Sequence, residues 1–496
     1  MGTHDDTHHG RHVAAEVTKQ FLTRTTASTV IPGLGLIPTR RRAGLLLTGA
    51  AVLGGLSVLA YALSQGAMSS ALALGLSPRR LFALLVAIVV GAAAWIVGIA
   101  LTARDNLPDE GRVTERRRWW LKGFAVLAAL AVAIPATQAF RYATIQRSVL
   151  DTVFDAARPE GATAPKAGDD PWAGVDQVNV LLIGSDAGAD RVGVRPDSMM
   201  VASVDPAAGD TVLFGIPRNL EMVPIPESNP LHALWPDGYN CGDQCLINGV
   251  WTLATDHPDL FPGDANPGLT TTRDVVGAVL GLDLDYTVVI DLKGFTALVD
   301  AMGGVDINVT ERVCIGCHTE GGVVVGTTGY IEPGFQHLDG YHALWYARSR
   351  AESTDGDFSR MRRQRCVIGA LLNQVDPIQM LRRYPALASV LKDSVSIDIP
   401  RDDLQAWADL TERVQGGTIR SLPLTNKVID VGNPDYDAIH VLVQDAIAPQ
   451  PASSSSSSTT PSSTTTSPTS PSTTTSPAPS ESPTTQEGLE DLAATC

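Results

Sequence analysis

The sequence predicts a layered α/β domain carried behind three transmembrane helices. Three long apolar runs occupy residues 44–63, 81–101 and 119–140. From residue 175 to about 448 strand-like and helix-like stretches alternate, the pattern of an α/β layered domain. Residues 449–487 are then almost entirely Ser, Thr and Pro.

Each apolar run is close to the ~20 residues that a helix needs to cross the hydrocarbon core. Lys122 alone interrupts them with charge, and it lies one turn inside an end, from which its ammonium reaches the interface. A single run of this kind could be a buried helix. Three in succession, without polar faces, read as membrane spans. Basic residues in the loops set the orientation. Arg40, Arg41 and Arg42 precede the first span, and Arg104, Arg112, Arg116, Arg117 and Arg118 precede the third. The loop between the first two spans carries Arg79 and Arg80. The N-terminus and the second loop are therefore expected in the cytoplasm, and everything after residue 141 outside the cell. The first apolar run starts far from Met1 and lacks a cleavage pattern. Residues 1–42 are expected to be a polar cytoplasmic tail, with the His-rich start from Met1 to His12 solvated and disordered rather than metal-binding.

Residues 142–174 read as a linker, helical at first and then rich in Pro, Gly, Ala and Asp. In the domain that follows, VNVLLIG (178–184), SMMVASV (198–204), TVLFGIP (211–217), YTVVIDL (286–292) and VDINV (305–309) carry strand signals. Helices are expected near 271–280, 294–302, 338–348, 359–375, 401–414 and 435–447. The Ser/Thr/Pro tract cannot bury enough apolar area to offset its chain entropy, so 449–496 is expected to be a disordered tail. Outside a cell it suits O-glycosylation or threading through a wall, and equally a plain flexible tail.

The formal net charge of -16 excludes general nucleic-acid binding, since a duplex repels an acidic surface. Cys241 and Cys245 form a C-x3-C, Cys314 and Cys317 a C-x2-C, while Cys366 and Cys496 are isolated. With His318 the four paired cysteines have zinc-like spacing. Outside the cell disulfides persist and thiolates seldom do, so disulfides are the expectation, with the pairing left open.

The domain carries an ordered series of motifs. NVLLIGSDAGADRVGVRPDSMMVASVDP opens it, FGIPRN and DLKGFTALVDAMGGVDINV follow, and PGFQHLDGYHALWYARSRAESTDGDFSRMRRQR closes it. This series resembles the LytR-CpsA-Psr family over roughly residues 175–448. The resemblance implies a three-layer α/β/α domain with a central mixed sheet. It also implies a phosphotransferase that moves a glycopolymer phosphate from a polyprenyl diphosphate carrier to peptidoglycan, using Mg²⁺ or alternatively Mn²⁺. Two competing functions remain: a pyrophosphatase acting on the same lipid with water, and a non-enzymatic envelope regulator or scaffold that binds polyprenyl phosphates.

The residues support a phosphate site. Asp186 follows a strand, at the end where α/β sheets bind ligands, and Asp197 begins the next strand. As a pair they could hold Mg²⁺ against diphosphate oxygens; either alone could be a loop-capping aspartate. Arg218, Arg348, Arg350 and Arg360, with Gln364 one turn beyond Arg360, supply the complementary half. Phosphoryl transfer asks a protein mostly for neutralisation and positioning, and a guanidinium fork binds two oxygens at once. Asp357 or a metal carboxylate is the candidate proton acceptor. Arg348 and Arg350 are two apart, so the helix must end near Ala347 for both to face one ligand. Arg363 and Arg365 lie off the Arg360–Gln364 face and read as surface charges. Phe295, Leu298 and Val299 could line a lipid slot or simply belong to the core. Two departures from the family pattern stand out: Pro-Arg-Asp reads Pro217, Arg218, Asn219, and Lys-Ile-Asn reads Leu246, Ile247, Asn248.

Overall fold

The computed structural model describes residues 5–65, 74–168, 170–186, 195–321, 323–353, 355–374, 377–448 and 489–491. The first four residues of the His-rich start, most of the Gly- and Arg-containing loop after Asp186 and the Ser/Thr/Pro tract lie outside them. The chain divides into two compact units. One comprises Met1–Ala156, Leu381–Lys392 and Pro400–Ala408, and the other Ala157–Met380, Asp393–Ile399 and Asp409–Cys496.

The first unit is helical: α1 (Asp5–Val30), α2 (Arg41–Gln65), α3 (Pro78–Asn106) and α4 (Glu115–Val153). The last three are long and apolar enough to cross a membrane. Large side chains such as Leu46, Leu63 and Trp120 point outward from them. Such surface is costly in water and natural in lipid. With 39 residues α4 is ~58 Å long, about twice the hydrocarbon thickness. Its apolar run therefore leaves a polar stretch, 141–153, continuing past the span. The polar tail is helical over Asp5–Val30, which takes in the part of the His-rich start from Asp5 that was expected to be disordered. Phe21 is fully buried, Ser28 Oγ and Thr102 Oγ1 share a hydrogen bond of 2.8 Å, and Trp95 Nε1 donates to the Ser28 carbonyl at 2.9 Å. Polar residues that satisfy one another between helices leave no periodic apolar stripe to read.

The second unit begins with β1 (Val178–Ser185), β2 (Pro196–Val204) and β3 (Thr211–Ile216), followed by α5 (Val250–Thr255), α6 (Pro267–Leu280), β4 (Tyr286–Asp291) and α7 (Leu292–Met302). Short strands come next: β5 (Val305–Val309), β6 (Val313–Ile315), β7 (His318–Glu320), β8 (Val323–Val325), β9 (Gly329–Ile331) and β10 (Gly334–Leu338). Then come α8 (Gly340–Arg348), α9 (Asp357–Asn373), α10 (Pro377–Ser394, mostly in the first unit), β11 (Val395–Ile397), α11 (Leu404–Gly416, divided between the units), β12 (Ile419–Pro423), α12 (Tyr436–Ile447) and β13 (Glu490–Asp491).

The central sheet runs β11-β4-β1-β2-β3-β12-β13 and is mixed: β1 is parallel to β4 and β3 to β12, and its other pairs are antiparallel. Met199 and Val201 of β2 join Val275, Val279, Ile439 and Val443 in one core, so α6 and α12 cover that face. Side chains alternate along a strand, so Ser198 points the other way, and its hydroxyl meets Gln364 of α9. Helix, sheet and helix make the three layers expected. VDINV is a strand, yet it pairs with β10 outside the central sheet. Val299 is fully buried and Phe295 packs on the same core, which gives both an ordinary packing role.

The linker is more ordered than its composition suggested. Trp172 is buried, and the Tyr286 hydroxyl donates to the Thr163 carbonyl at 2.8 Å. Residues 489–491 likewise correct the expectation of a disordered tail, because β13 pairs with β12 and Leu489 packs against the core. Cys241 is bonded to Cys245 and Cys314 to Cys317, which resolves the pairing and consumes the thiolates a zinc site would need.

Candidate active site

β1, β2 and β3 run up, down and up, so the end of β1, the start of β2 and the end of β3 share one edge of the sheet. That edge gathers Asp186, Asp197 and Arg218. The β1–β2 register shifts at Gly184 and Ser185, just before Asp186 leaves the strand. The Asp186 amide donates to the Arg195 carbonyl at 3.1 Å, and the Arg195 amide donates to Asp186 Oδ1 at 3.0 Å. This reciprocal pair fixes the carboxylate at the base of the intervening loop. Asp186 is buried, where an aspartate serving only as a surface turn cap would be exposed.

Arg218 bridges the edge to α9. Its Nη1 donates to Asp197 Oδ1 at 3.1 Å and its Nε to Asp357 Oδ2 at 2.9 Å. Burial pulls the Arg218 guanidinium down, and Asp357 with Asp197 outweighs it, so its pKa lies above the ordinary value. Asp357 is the first residue of α9, where the helix dipole favours an anion. Arg350 and Arg360 each approach it at 3.6 Å, so three guanidiniums surround one carboxylate. Arg360 is almost completely buried, and burial pushes its guanidinium below the ordinary range against the attraction of Asp357.

α8 ends at Arg348, and Ser349 turns the chain to an extended conformation with ψ 140°. The helix thus stops one residue later than expected, with the consequence expected: Arg348 and Arg350 line the same cavity. Among the described residues Arg348 meets no carboxylate, and its guanidinium lies 5.7 Å from the Trp345 ring. Arg363 and Arg365 are not surface charges; both are buried. Arg363 donates to the carbonyls of Tyr346 and Ser349 and to Glu311, and Arg365 donates to Ser421 Oγ at 3.0 Å. Lying off one helical face placed them against other elements instead of in solvent.

The cavity holds about 670 Å³, and its walls include Asp186, Asp197, Arg218, Arg348, Arg350 and Arg360. Asp357 stands behind that wall, and Gln364 lies in an adjoining narrow cleft with Arg360, its Oε1 accepting from Ser198 Oγ at 3.2 Å. Three contributors escaped sequence reasoning. Arg195 lines the cavity from beside Asp197, and Trp345 lines it one turn before Arg348. The third is the disulfide-closed hairpin that presents Cys317, His318 and Thr319 to the same space. The C-x2-C spacing marked that hairpin as special without saying what it would border. Five guanidiniums against three carboxylates leave the region positive, as a phosphate-bearing ligand requires.

Among the described residues no group of three His, Cys, Asp or Glu side chains could cage a metal ion. The hard oxygens of Asp186 and Asp197 still fit Mg²⁺, an ion commonly held by one or two carboxylates plus substrate phosphates.

The model of the LytR_cpsA_psr family matches residues 149–447 of this chain. The chain belongs to the LytR-CpsA-Psr family. Its similarity to individual members is lower. A polyisoprenyl-teichoic acid–peptidoglycan teichoic acid transferase TagU from Oceanobacillus iheyensis is 26% identical over 296 residues, covering 59% of this chain and 80% of that protein. The TagU of Enterococcus faecalis is 25% identical over 288 residues, covering 58% and 80%. Among solved structures, Bacillus subtilis TagV is 22% identical, covers 56% of this chain and 99% of that one, and superposes with a TM-score of 0.38. The three apolar helices lie largely before the LytR-CpsA-Psr match, which begins near the end of α4.

Proposed function

We propose that this chain transfers a phosphate-linked glycopolymer from a membrane polyprenyl diphosphate to a hydroxyl of peptidoglycan, outside the cell. The observation that carries the reading is the convergence of Arg218, Arg348, Arg350 and Arg360 on one cavity with Asp186 and Asp197. The teichoic acid transferase names of the relatives support the substrate class, and the arginine-rich loop before α4 supports an external domain.

Arg348, free of carboxylate partners among the described residues, grips phosphate oxygens, and Arg218, Arg350 and Arg360 hold positive charge around them. The acceptor oxygen attacks the sugar-side phosphorus. A new O–P bond forms, the bond to the bridging diphosphate oxygen breaks, and polyprenyl phosphate leaves. Charge builds on phosphate oxygens during this step, where preorganised donors lower the barrier. Mg²⁺ bound by Asp186 and Asp197 would neutralise the diphosphate. Asp357, engaged by three guanidiniums behind the wall, orients them, and the proton of the acceptor hydroxyl passes to Asp186 or Asp197, which line the cavity.

The test incubates the full-length protein in detergent with lipid-linked oligosaccharide, peptidoglycan fragments and Mg²⁺. A phosphodiester product is expected. Free sugar phosphate would establish the pyrophosphatase instead, and lipid binding without turnover would establish the scaffold.

A further inference from the structure

We propose that a second cleft, polar and free of arginine, seats the acceptor saccharide. It rests on the transfer reading above and deepens it by naming where the acceptor sits. The cleft holds about 490 Å³ between the turn after β3 and the loop after β12, with Asn219, Glu221, Asn426, Lys427, Asp430 and Gly432 on its walls. It shares no wall residue with the arginine cavity. The two are lined by neighbouring residues of one turn: Arg218 lines the first and Asn219 the second. A sugar in the second cleft can therefore extend a hydroxyl toward a phosphate held in the first.

The walls are built in advance. The Glu221 amide donates to the Val431 carbonyl at 3.1 Å, and the Val431 amide donates to Asn426 Oδ1 at 3.3 Å. Val431 itself is buried in the core. Asp430 Oδ1 accepts from the amides of Gly432 and Asn433 at 3.0 and 3.2 Å, and the Tyr436 hydroxyl donates to the Glu221 carbonyl at 2.9 Å. A loop ordered this way loses little entropy when a ligand arrives. Among the described residues Asn219 Oδ1 is buried without a hydrogen-bond partner, an acceptor left over beside the cleft.

The side chains select the ligand class. Carboxylates such as Glu221 accept from sugar hydroxyls, and the amides of Asn219 and Asn426 can both donate to and accept from an acetamido group. Lys427 offers one cation for a carboxylate. This set matches an N-acetylated disaccharide bearing an acidic substituent, which is the repeating unit of peptidoglycan with its stem peptide. It does not match a second phosphate, which would call for guanidinium forks.

The experiment uses full-length protein in detergent and a soluble disaccharide-peptide fragment of peptidoglycan. Binding is followed by saturation-transfer NMR and transfer by product formation. Lys427→Ala and Glu221→Gln should each weaken fragment affinity and raise its KM by about tenfold, or ~1.4 kcal/mol. Affinity for the lipid-linked donor and the melting temperature should stay as in the wild type. Unchanged fragment affinity alongside normal wild-type transfer overturns the cleft and spares the transfer reading. Parallel loss of donor affinity also overturns it. Variants that lose fragment binding in a protein that makes no phosphodiester would uphold the cleft as a saccharide site and sink the transfer reading.

Discussion

The guanidinium of Arg363 donates from Nε to the main-chain carbonyl of Tyr346 at 2.8 Å. The same side chain reaches the Ser349 carbonyl and, at 2.8 Å, Glu311 Oε1. It thus caps the end of α8 and holds the residue between Arg348 and Arg350. Lysine keeps the charge and cannot make all three contacts. Arg363→Lys should lower stability by ~1–3 kcal/mol through unsatisfied buried carbonyls. It should also reduce transfer, because the two cavity arginines lose their support. Thermal unfolding and a transfer assay on one preparation decide this; a variant identical to wild type in both would refute the positioning role.

Arg348 makes the opposite case. Among the described residues it makes no ion pair, so Arg348→Lys should leave the melting temperature nearly unchanged, within about 0.5 kcal/mol. If the fork holds two phosphate oxygens, transfer should fall roughly a hundredfold to a thousandfold, or ~2.7–4 kcal/mol. Arg350→Lys should behave likewise, its link to Asp357 being long at 3.6 Å. Near-normal rates in both variants would show that the phosphate clamp lies elsewhere.

Asp186→Asn and Asp197→Asn test the metal. Asparagine keeps an oxygen to accept from the Arg195 amide or from Arg218, so each variant should fold. Mg²⁺-dependent turnover should disappear, and isothermal titration should show Mg²⁺ affinity in the presence of donor lipid falling. Full activity in a variant would remove that residue from the proposed metal site.

Topology is open to a direct check. A reporter active only outside the cytoplasm should give signal when fused after residue 448 and none within the 104–118 loop. The reverse pattern would place the arginine cavity on the cytoplasmic side and end the cell-wall reading.

Much of this protein was legible from the chain itself. Membrane spans are local properties, set by length and apolarity, and α2, α3 and α4 fall where composition put them. Strands such as VNVLLIG declare themselves through continuous apolar runs. The ordered motifs identified the LytR-CpsA-Psr family, and the placement of Asp186 and Asp197 at one end of the sheet followed from a strand end and the next strand start. What the sequence alone could not decide were relations across distance. Arg218 and Asp357 are 139 positions apart, and only folding brings them to 2.9 Å. Arg363 resembles Arg360 as text. One is buried as a brace for α8 and the other as part of the cavity wall, because Arg363 sits nearly one turn further along α9 and about 60° round from Arg360, where it meets the end of α8. α1 and β13 were missed for the same reason: a polar helix and a two-residue strand carry almost no local signal. Their order comes from partners far along the chain, Thr102 for the one and β12 for the other.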